Sequence, residues 1–411
     1  MFFPAVQAAA VDGIARDALA SYQTPGVSIA VVRDGRTVRV TGFGTRDCGG
    51  SGIPGPHTRF AIGSLTKQFV ATLALQLVQK KALDLDAPLT RYLPEDRNWS
   101  AIAILSLLDQ RSGIADFNGP WFLARHLGAV WPGRVDRPAI VAGLESEPRE
   151  FPPDARFEYS NANYLVLGTI LERVAKRPLG ALLRSGILVP LHLHDTGFGV
   201  PSGSDAAAGC GTTPWGVSRV PSFDPQLTWA AGGMYSSAAD MAAFETALLG
   251  AKLLTARSLS TMLTARDGYA FGWYVYPNGS DRIAWHDGTV LGYKSAVVAV
   301  PARRDLVVVL SNADYFHAAR VATEVADATL GTTLPVAEGF DAALPRASLA
   351  IGAIAGFVPI VLALWFRRRI VFGIAGGIAA YACASLAWPA AIAVGAVVAI
   401  LTMTGRTKAR R

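Results

Sequence analysis

Apolar residues follow three rhythms along this chain, and each predicts a different kind of element. In the stretch FAIGSLTKQFVATLALQLVQK (60–80), the positions after Gln68 are apolar on most sides: Phe69, Val70, Leu73, Ala74, Leu75, Leu77 and Val78. That pattern predicts a helix buried in the middle of a domain and beginning near Ser64. Residues 1–23 predict an amphipathic helix after a short apolar start. The β-rich runs GVSIAVVR and RTVRVTG, joined by Asp34-Gly35, predict two neighbouring antiparallel strands. From 83 to about 250 the pattern is helical and loop-rich, punctuated by Ser112-Gly113, Pro152-Pro153 and Gly232-Gly233, as expected of an inserted helical region. Strand character returns at 271–276, 282–287, 294–300 and 306–312, so the two ends of the domain are expected to build one antiparallel sheet. Residues 321–330 predict a closing helix, and 332–346, with Pro335 and Pro345, a linker.

The third rhythm is confined to the C-terminal tail. Three apolar segments, 348–366, 370 to about 387 and 389 to about 403, contain no acidic residue. A membrane span needs about 20 apolar residues, so the first fits comfortably and the others are short. Trp388-Pro389 supplies a natural break between the second and third. Composition sharpens this picture: hydrophobic residues make up 51% of the 411, more than a soluble domain usually carries. Seven of the 38 basic residues lie in the tail, which leaves 31 basic against 31 acidic residues elsewhere. A pI of 9.4 therefore describes the tail, and no basic stripe in the globular part suggests a nucleic-acid partner. Three spans put Arg367–Arg369 and the 406–411 cluster on one side, the cytoplasm by the positive-inside rule, with the globular domain outside. Such a topology requires an export signal. The expectation is that the sequence starts short of its natural beginning and that MFFPAVQAAA lies near a signal-peptide cleavage region.

Cys48, Cys210 and Cys383 show no metal-ligand spacing. The first two are read as unpaired buried thiols, with pairing in an oxidising compartment left open. His192 and His194 in PLHLHDTGF alternate as in a short extended segment, and no metal or cofactor is expected.

Candidate chemistry starts at the polar end of the buried helix. Ser64 and Lys67 are three residues apart, so on a helix the hydroxyl lies beside the amine. A lysine with an ordinary pKa of about 10.4 is protonated and cannot act as a base. Burial at a helix N-terminus disfavours the ammonium and makes proton exchange feasible, and the free N–H groups there can hold an oxyanion. An isolated SxxK is most often a cap and a solvated lysine; here no other serine has a lysine three residues later. Tyr159-Ser160-Asn161, before a strongly apolar helix, adds a phenol and a carboxamide. Tyr276-Pro277-Asn278 shares that spacing and is better read as a hairpin turn. His286-Asp287-Gly288, in WHDGTVLGYKS, falls at the end of an expected strand, where Gly288 would let a substrate lie close.

In chain order, Ser64-Leu65-Thr66-Lys67, Tyr159-Ser160-Asn161 and His286-Asp287-Gly288 resemble the active-site motifs of the serine β-lactamase and penicillin-binding-protein superfamily, in its class C-like branch. PGVSIAVVRDG, FPPDARFEYSNANYLVLG, AAGGMYSSAADMAAF and FGWYV look like the same framework. The resemblance implies a β-lactamase/transpeptidase-like α/β (α+β) fold, an antiparallel sheet flanked by helices plus a helical domain, spanning 9–331. The linker 332–346, transmembrane region 347–404 and basic tail 405–411 would follow it. By motif, Ser64 would be acylated and Lys67 with Tyr159 would share its proton. Asn161 would orient the amine and the substrate amide, and the N–H groups of Ser64 and Thr289 would form the oxyanion hole. His286 stands where β-lactamases usually have lysine, a departure that fits the family's esterases and peptidases better than β-lactam hydrolysis. The function expected is a membrane-anchored serine hydrolase acting through an acyl-enzyme on a small ester, amide or peptide. Its rival is a catalytically silent relative that binds cell-wall fragments. A GxSxG hydrolase is excluded because that motif is absent.

Overall fold

The computed structural model describes residues 3–332, apart from 23, 51, 96, 119–121, 123, 124, 127–133, 214, 215, 222 and 223. The chain opens with helix α1 (Ala5–Tyr22), then strands β1 (Gly26–Arg33) and β2 (Arg36–Gly44). Their turn places both Asp34 and Gly35 at positive φ, the geometry that an Asp-Gly hairpin supplies at least cost. A two-residue strand β3 (Phe60–Ala61) leads into helix α2 (Thr66–Gln79). Helices α3 (Ile104–Leu108), α4 (Arg137–Ser146), α5 (Asn161–Ala175) and α6 (Leu179–Leu183) follow. Then come β4 (Gly197–Phe198), α7 (Pro225–Gly232), β5 (Met234–Ser236), α8 (Ala238–Leu249) and α9 (Ala256–Met262). The chain closes with β6 (Tyr274–Asn278), β7 (Asp281–Val290), β8 (Tyr293–Val300), β9 (Asp305–Ser311) and α10 (Ala318–Leu330).

The main sheet is antiparallel in the order β2-β1-β9-β8-β7-β6. The N-terminal hairpin and the four C-terminal strands meet where Ser28 pairs with Leu310 and Val31 with Val307. Both central strands, β8 and β9, are buried along their whole length. On one face Val27, Ile29, Val31, Val307 and Val309 pack with Val11 and Ala15 of α1 and Val321 and Val325 of α10. Helix α8 covers β1 and β9 from the other face. A small sheet, β3-β5-β4, lies under the start of α2.

Four local expectations need correction. Ser64 is not in the first turn of α2 but on a short 3₁₀ turn, Gly63–Leu65, ahead of it. The strand expected from 271 starts at Tyr274, because Gly272 takes a φ of +79° and packs its backbone on Lys67 and Gln68. Tyr276-Pro277-Asn278 ends β6, and the turn proper is Gly279-Ser280. His192 has positive φ and residues 190–195 run through turns, so the two histidines do not lie on an extended segment; PLHLHDTGF becomes extended only at Gly197-Phe198, in β4.

Cys48 and Cys210 form a disulfide across a separation of 162 residues, against the reading of two free thiols. The loops that carry them are brought together by main-chain bonding, with Ala208 N donating to Arg46 O at 2.8 Å. Asn312 at the end of β9 donates to Thr45 O, Arg46 O and Ala208 O. No feature of the local sequence signals that meeting. The linker beyond Thr332, the apolar tail segments and Cys383 lie outside the described residues. Among the described residues no helix is long and apolar enough to cross a membrane.

Candidate active site

Helix α2 is buried almost throughout, and Lys67 in its first turn is fully inaccessible. Its Nζ contacts three oxygens: Ser64 Oγ at 3.0 Å, Asn161 Oδ1 at 2.8 Å and Ala231 O at 2.7 Å. Two of these, a carboxamide oxygen and a main-chain carbonyl, can only accept. A neutral amine has two N–H donors and one lone pair. Asn161 and Ala231 occupy the donors, so the lone pair is left facing the Ser64 hydroxyl. Burial pulls the Lys67 pKa down to about 7, with the carboxylates of Asp116 and Asp287 opposing the shift. The Lys67 amine thus titrates near physiological pH, and its neutral form turns a lone pair to a serine.

The serine is held by close backbone packing. Gly63 has a φ of +49°, and a Cβ there would lie 2.6 Å from Thr289 N. A Cβ on Gly288 would lie 2.1 Å from Ile62 O. Only glycine fits at either position, and the paired glycines seat the Ser64 turn directly on the Gly288-Thr289 peptide of β7. Ser295 Oγ fixes the same turn by donating to Ile62 O at 2.8 Å. The main-chain N–H groups of Ser64 and Thr289 consequently stand on adjoining segments.

Tyr159 and Asn161 precede and open α5. Asn161 donates through Nδ2 to Asp116 Oδ2 at 3.1 Å, which turns its oxygen toward Lys67. The Tyr159 ring lies 4.8 Å from the Lys67 Nζ. Burial first, then the neighbouring Tyr274, pushes its phenol well above the ordinary tyrosine range, so Tyr159 rests neutral. Of the two groups expected to share the serine proton, the buried lysine is thus the one whose pKa is lowered, and the tyrosine is a proton-bearing phenol.

His286 is 1% exposed. Its Nδ1 lies 2.6 Å from Asp287 O, a carbonyl that makes Nδ1 the donor, so Nε2 accepts the Tyr269 hydroxyl at 3.2 Å. Burial, then the charge of Lys67, lowers its pKa to about 3. His286 is a neutral strut and does not replace the cationic lysine of a KTG strand. Asp287, next along β7, is partly exposed, and its charge acts on Lys67, Tyr159 and Tyr274. All eight candidate residues (Ser64, Lys67, Tyr159, Asn161, His286, Asp287, Gly288, Thr289) thus gather around the α2 N-terminus.

Four contributors were not legible as such. Asp116 orients Asn161. Gln110, at a φ of +63°, accepts from Ser160 N at 3.0 Å and also from Asn163 Nδ2, fixing the Tyr159–Asn161 segment. Ala231 supplies the third lysine partner, and Tyr269 the histidine's. Of these only Ala231 lay in a quoted framework stretch, AAGGMYSS, and nothing there marks a carbonyl as a ligand of lysine. Among the described residues no group of His, Cys, Asp and Glu is placed to hold a metal ion.

The Beta-lactamase family model matches residues 11–330. "Putative penicillin-binding protein PbpX" of Bacillus subtilis (strain 168) is 30% identical over 254 residues, covering 60% of this chain and 61% of the relative. The chain therefore spans about three fifths of the length of that curated relative. The D-stereospecific amidohydrolase from Streptomyces sp. superposes with a TM-score of 0.69 at 26% identity, covering 79% of this chain and 99% of the other. The D-amino acid amidase from Ochrobactrum anthropi SV3, in complex with L-phenylalanine amide, gives 0.68 at 26% identity, covering 79% and 97%. With the serine-lysine pair, the sheet order and a family match over most of its length in agreement, the chain belongs to the Beta-lactamase family of serine hydrolase folds.

Proposed function

We propose that this protein is a serine hydrolase of the class C-like branch that acts through an acyl-enzyme on Ser64, with a small ester, amide or D-amino acid derivative as substrate. The observation that carries the reading is the buried Lys67 amine, its two N–H groups engaged and its lone pair facing the Ser64 oxygen at 3.0 Å. Lys67 takes the hydroxyl proton as Oγ attacks the carbonyl carbon, and the developing oxyanion lies against the N–H groups of Ser64 and Thr289. The neutral Tyr159 phenol passes a proton to the leaving group and recovers one from the Lys67 ammonium. Water then hydrolyses the acyl-enzyme by the reverse path. The kinship with D-amino acid amidases and the negative charges of Asp116 and Asp287 beside the site favour neutral or amine-bearing substrates. The apolar segments 348–366, 370–387 and 389–403 are proposed to anchor the enzyme in the cytoplasmic membrane with the catalytic domain outside.

The test is covalent labelling with a fluorophosphonate. The parent is expected to be labelled on Ser64 and Ser64→Ala not at all; equal labelling of both ends the proposal. Protease treatment of spheroplasts tests the topology, since a fully protected catalytic domain would place it in the cytoplasm.

A further inference from the structure

The backbone at Trp229 is out of character for its residue. With φ +28° and ψ −113°, it sits near the first central position of a type II′ turn, a conformation that belongs to glycine. Yet the position carries the bulkiest side chain there is, and the indole is 5% exposed. What holds it is visible on both faces. The Arg137 guanidinium of α4 lies 3.8 Å from the ring centroid. On the α5 side Gly168 leaves room for the ring, for a Cβ there would come within 2.8 Å of it and within 2.6 Å of the Ala230 methyl. Past the strained position, Gly233 N donates to Trp229 O at 2.7 Å. Two residues after the strained position, Ala231 presents its carbonyl to Lys67.

We propose that Trp229 is a positioning residue: its indole, wedged between Arg137 and Gly168, holds the backbone twist that aims the Ala231 carbonyl at the Lys67 amine and so turns the lone pair to Ser64. Strain of this kind persists only where surrounding structure imposes it, and it gathers at functional sites. The inference rests on the hydrolase reading above for its consequence in rate, but not for its consequence in structure.

Two readouts separate these. In the full-length chain, selective ¹³C labelling of lysine follows the titration of Lys67 directly. The other charged or titratable groups facing that amine are Asp116, Asp287, Tyr159, Tyr164 and His286, and all are retained. A carbonyl acceptor favours the ammonium over the amine, so Trp229→Ala is expected to lower the Lys67 midpoint. Fluorophosphonate labelling of the folded protein is expected to slow by about 10- to 100-fold, as for an ångström-scale misplacement of a reacting group. Trp229→Phe, which keeps a ring in the wedge, should restore both, and Phe316→Ala, in the core on the other side of the sheet, should change neither. Should Trp229→Ala not fold, Gly168→Ala pushes on the same ring and Ala230 and is expected to shift both readouts in the same direction. Folded variants with the parent's Lys67 midpoint and labelling rate overturn the proposal, as does an equal shift in Phe316→Ala. A parent that is never labelled defeats the hydrolase reading, while the lysine titration still decides the role of Trp229.

Discussion

Lys67 is the residue on which the chemistry turns, and its environment predicts its pH behaviour. A base works only when unprotonated, and burial brings this one down to about 7. Labelling of Ser64 should therefore rise with pH through about 7 and level off above it. Lys67→Ala should slow labelling by orders of magnitude, and a profile that stays flat from pH 5 to 9 would remove Lys67 as the base. Specificity belongs to this scale too. Asp287 would repel a substrate carboxylate a few ångströms away by about 1 to 4 kcal/mol, depending on effective dielectric. Simple esters should be turned over much faster than nitrocefin, and His286→Lys with Asp287→Thr should raise activity on carboxylate-bearing substrates. Efficient nitrocefin hydrolysis by the parent would show that these positions do not set selectivity. The serine-lysine pair was legible because helical spacing alone brings the two side chains together. The neutrality of His286 and the phenolic state of Tyr159 were not, since both arise from burial that the local pattern does not report, the histidine's against Tyr269 of a preceding loop and the tyrosine's among Tyr269 and Tyr274, far along the chain.

Among the elements, α8 and β7 make separable predictions. Glu245 of α8 is fully buried, and neither carboxyl oxygen has a hydrogen-bond partner among the described residues. Burial pushes its pKa well above the ordinary carboxyl range, so the folded state keeps a proton that the unfolded chain gives up near pH 4.5. Stability from this group is complete below that value and declines as pH rises toward the folded pKa. Glu245→Gln should flatten the decline and raise Tm at pH 8, and an unchanged pH dependence would show the carboxyl to be satisfied. In β7, Gly288→Ala must displace Ile62 O, since the new methyl would lie 2.1 Å from it. It should cut Ser64 labelling by about 100-fold with the sheet intact by circular dichroism; labelling at the parent rate would mean that the turn and strand need not touch. The hairpin at Asp34-Gly35 and the strands of β7, β8 and β9 were readable from alternation and turn chemistry. The 3₁₀ turn at Ser64 and the late start of β6 were not. Both are imposed by close backbone contacts at Gly63 and Gly272, which pattern along the chain does not report.

At the scale of the whole molecule, one covalent bond and one strand pairing connect distant parts of the chain. The Cys48–Cys210 disulfide closes a long loop, and a crosslink of that kind is typically worth about 2 to 4 kcal/mol. Cys48→Ser should lower Tm under non-reducing conditions and should abolish the parent's sensitivity to dithiothreitol; identical melting of the two proteins with and without reductant would mean that the thiols do not pair. Disulfides persist in oxidising compartments, so the bond agrees with the proposed location of the domain outside the cytoplasm. The pairing of Ser28 with Leu310 carries a different consequence, which concerns time. A ribosome adding roughly 5 to 20 residues per second needs roughly 15 to 60 s between making one partner and the other. During that interval β1 has its hairpin mate β2 but lacks β9, the neighbour on its other side. Nascent chains halted before Asp305 should therefore remain open to protease, whereas those extended past Leu330 resist it; early resistance would mean that the hairpin finds another partner. Until its last strands emerge, the chain lacks the neighbour that completes its sheet, and for the proposed location outside the cytoplasm that open form is the one a secretion channel would take.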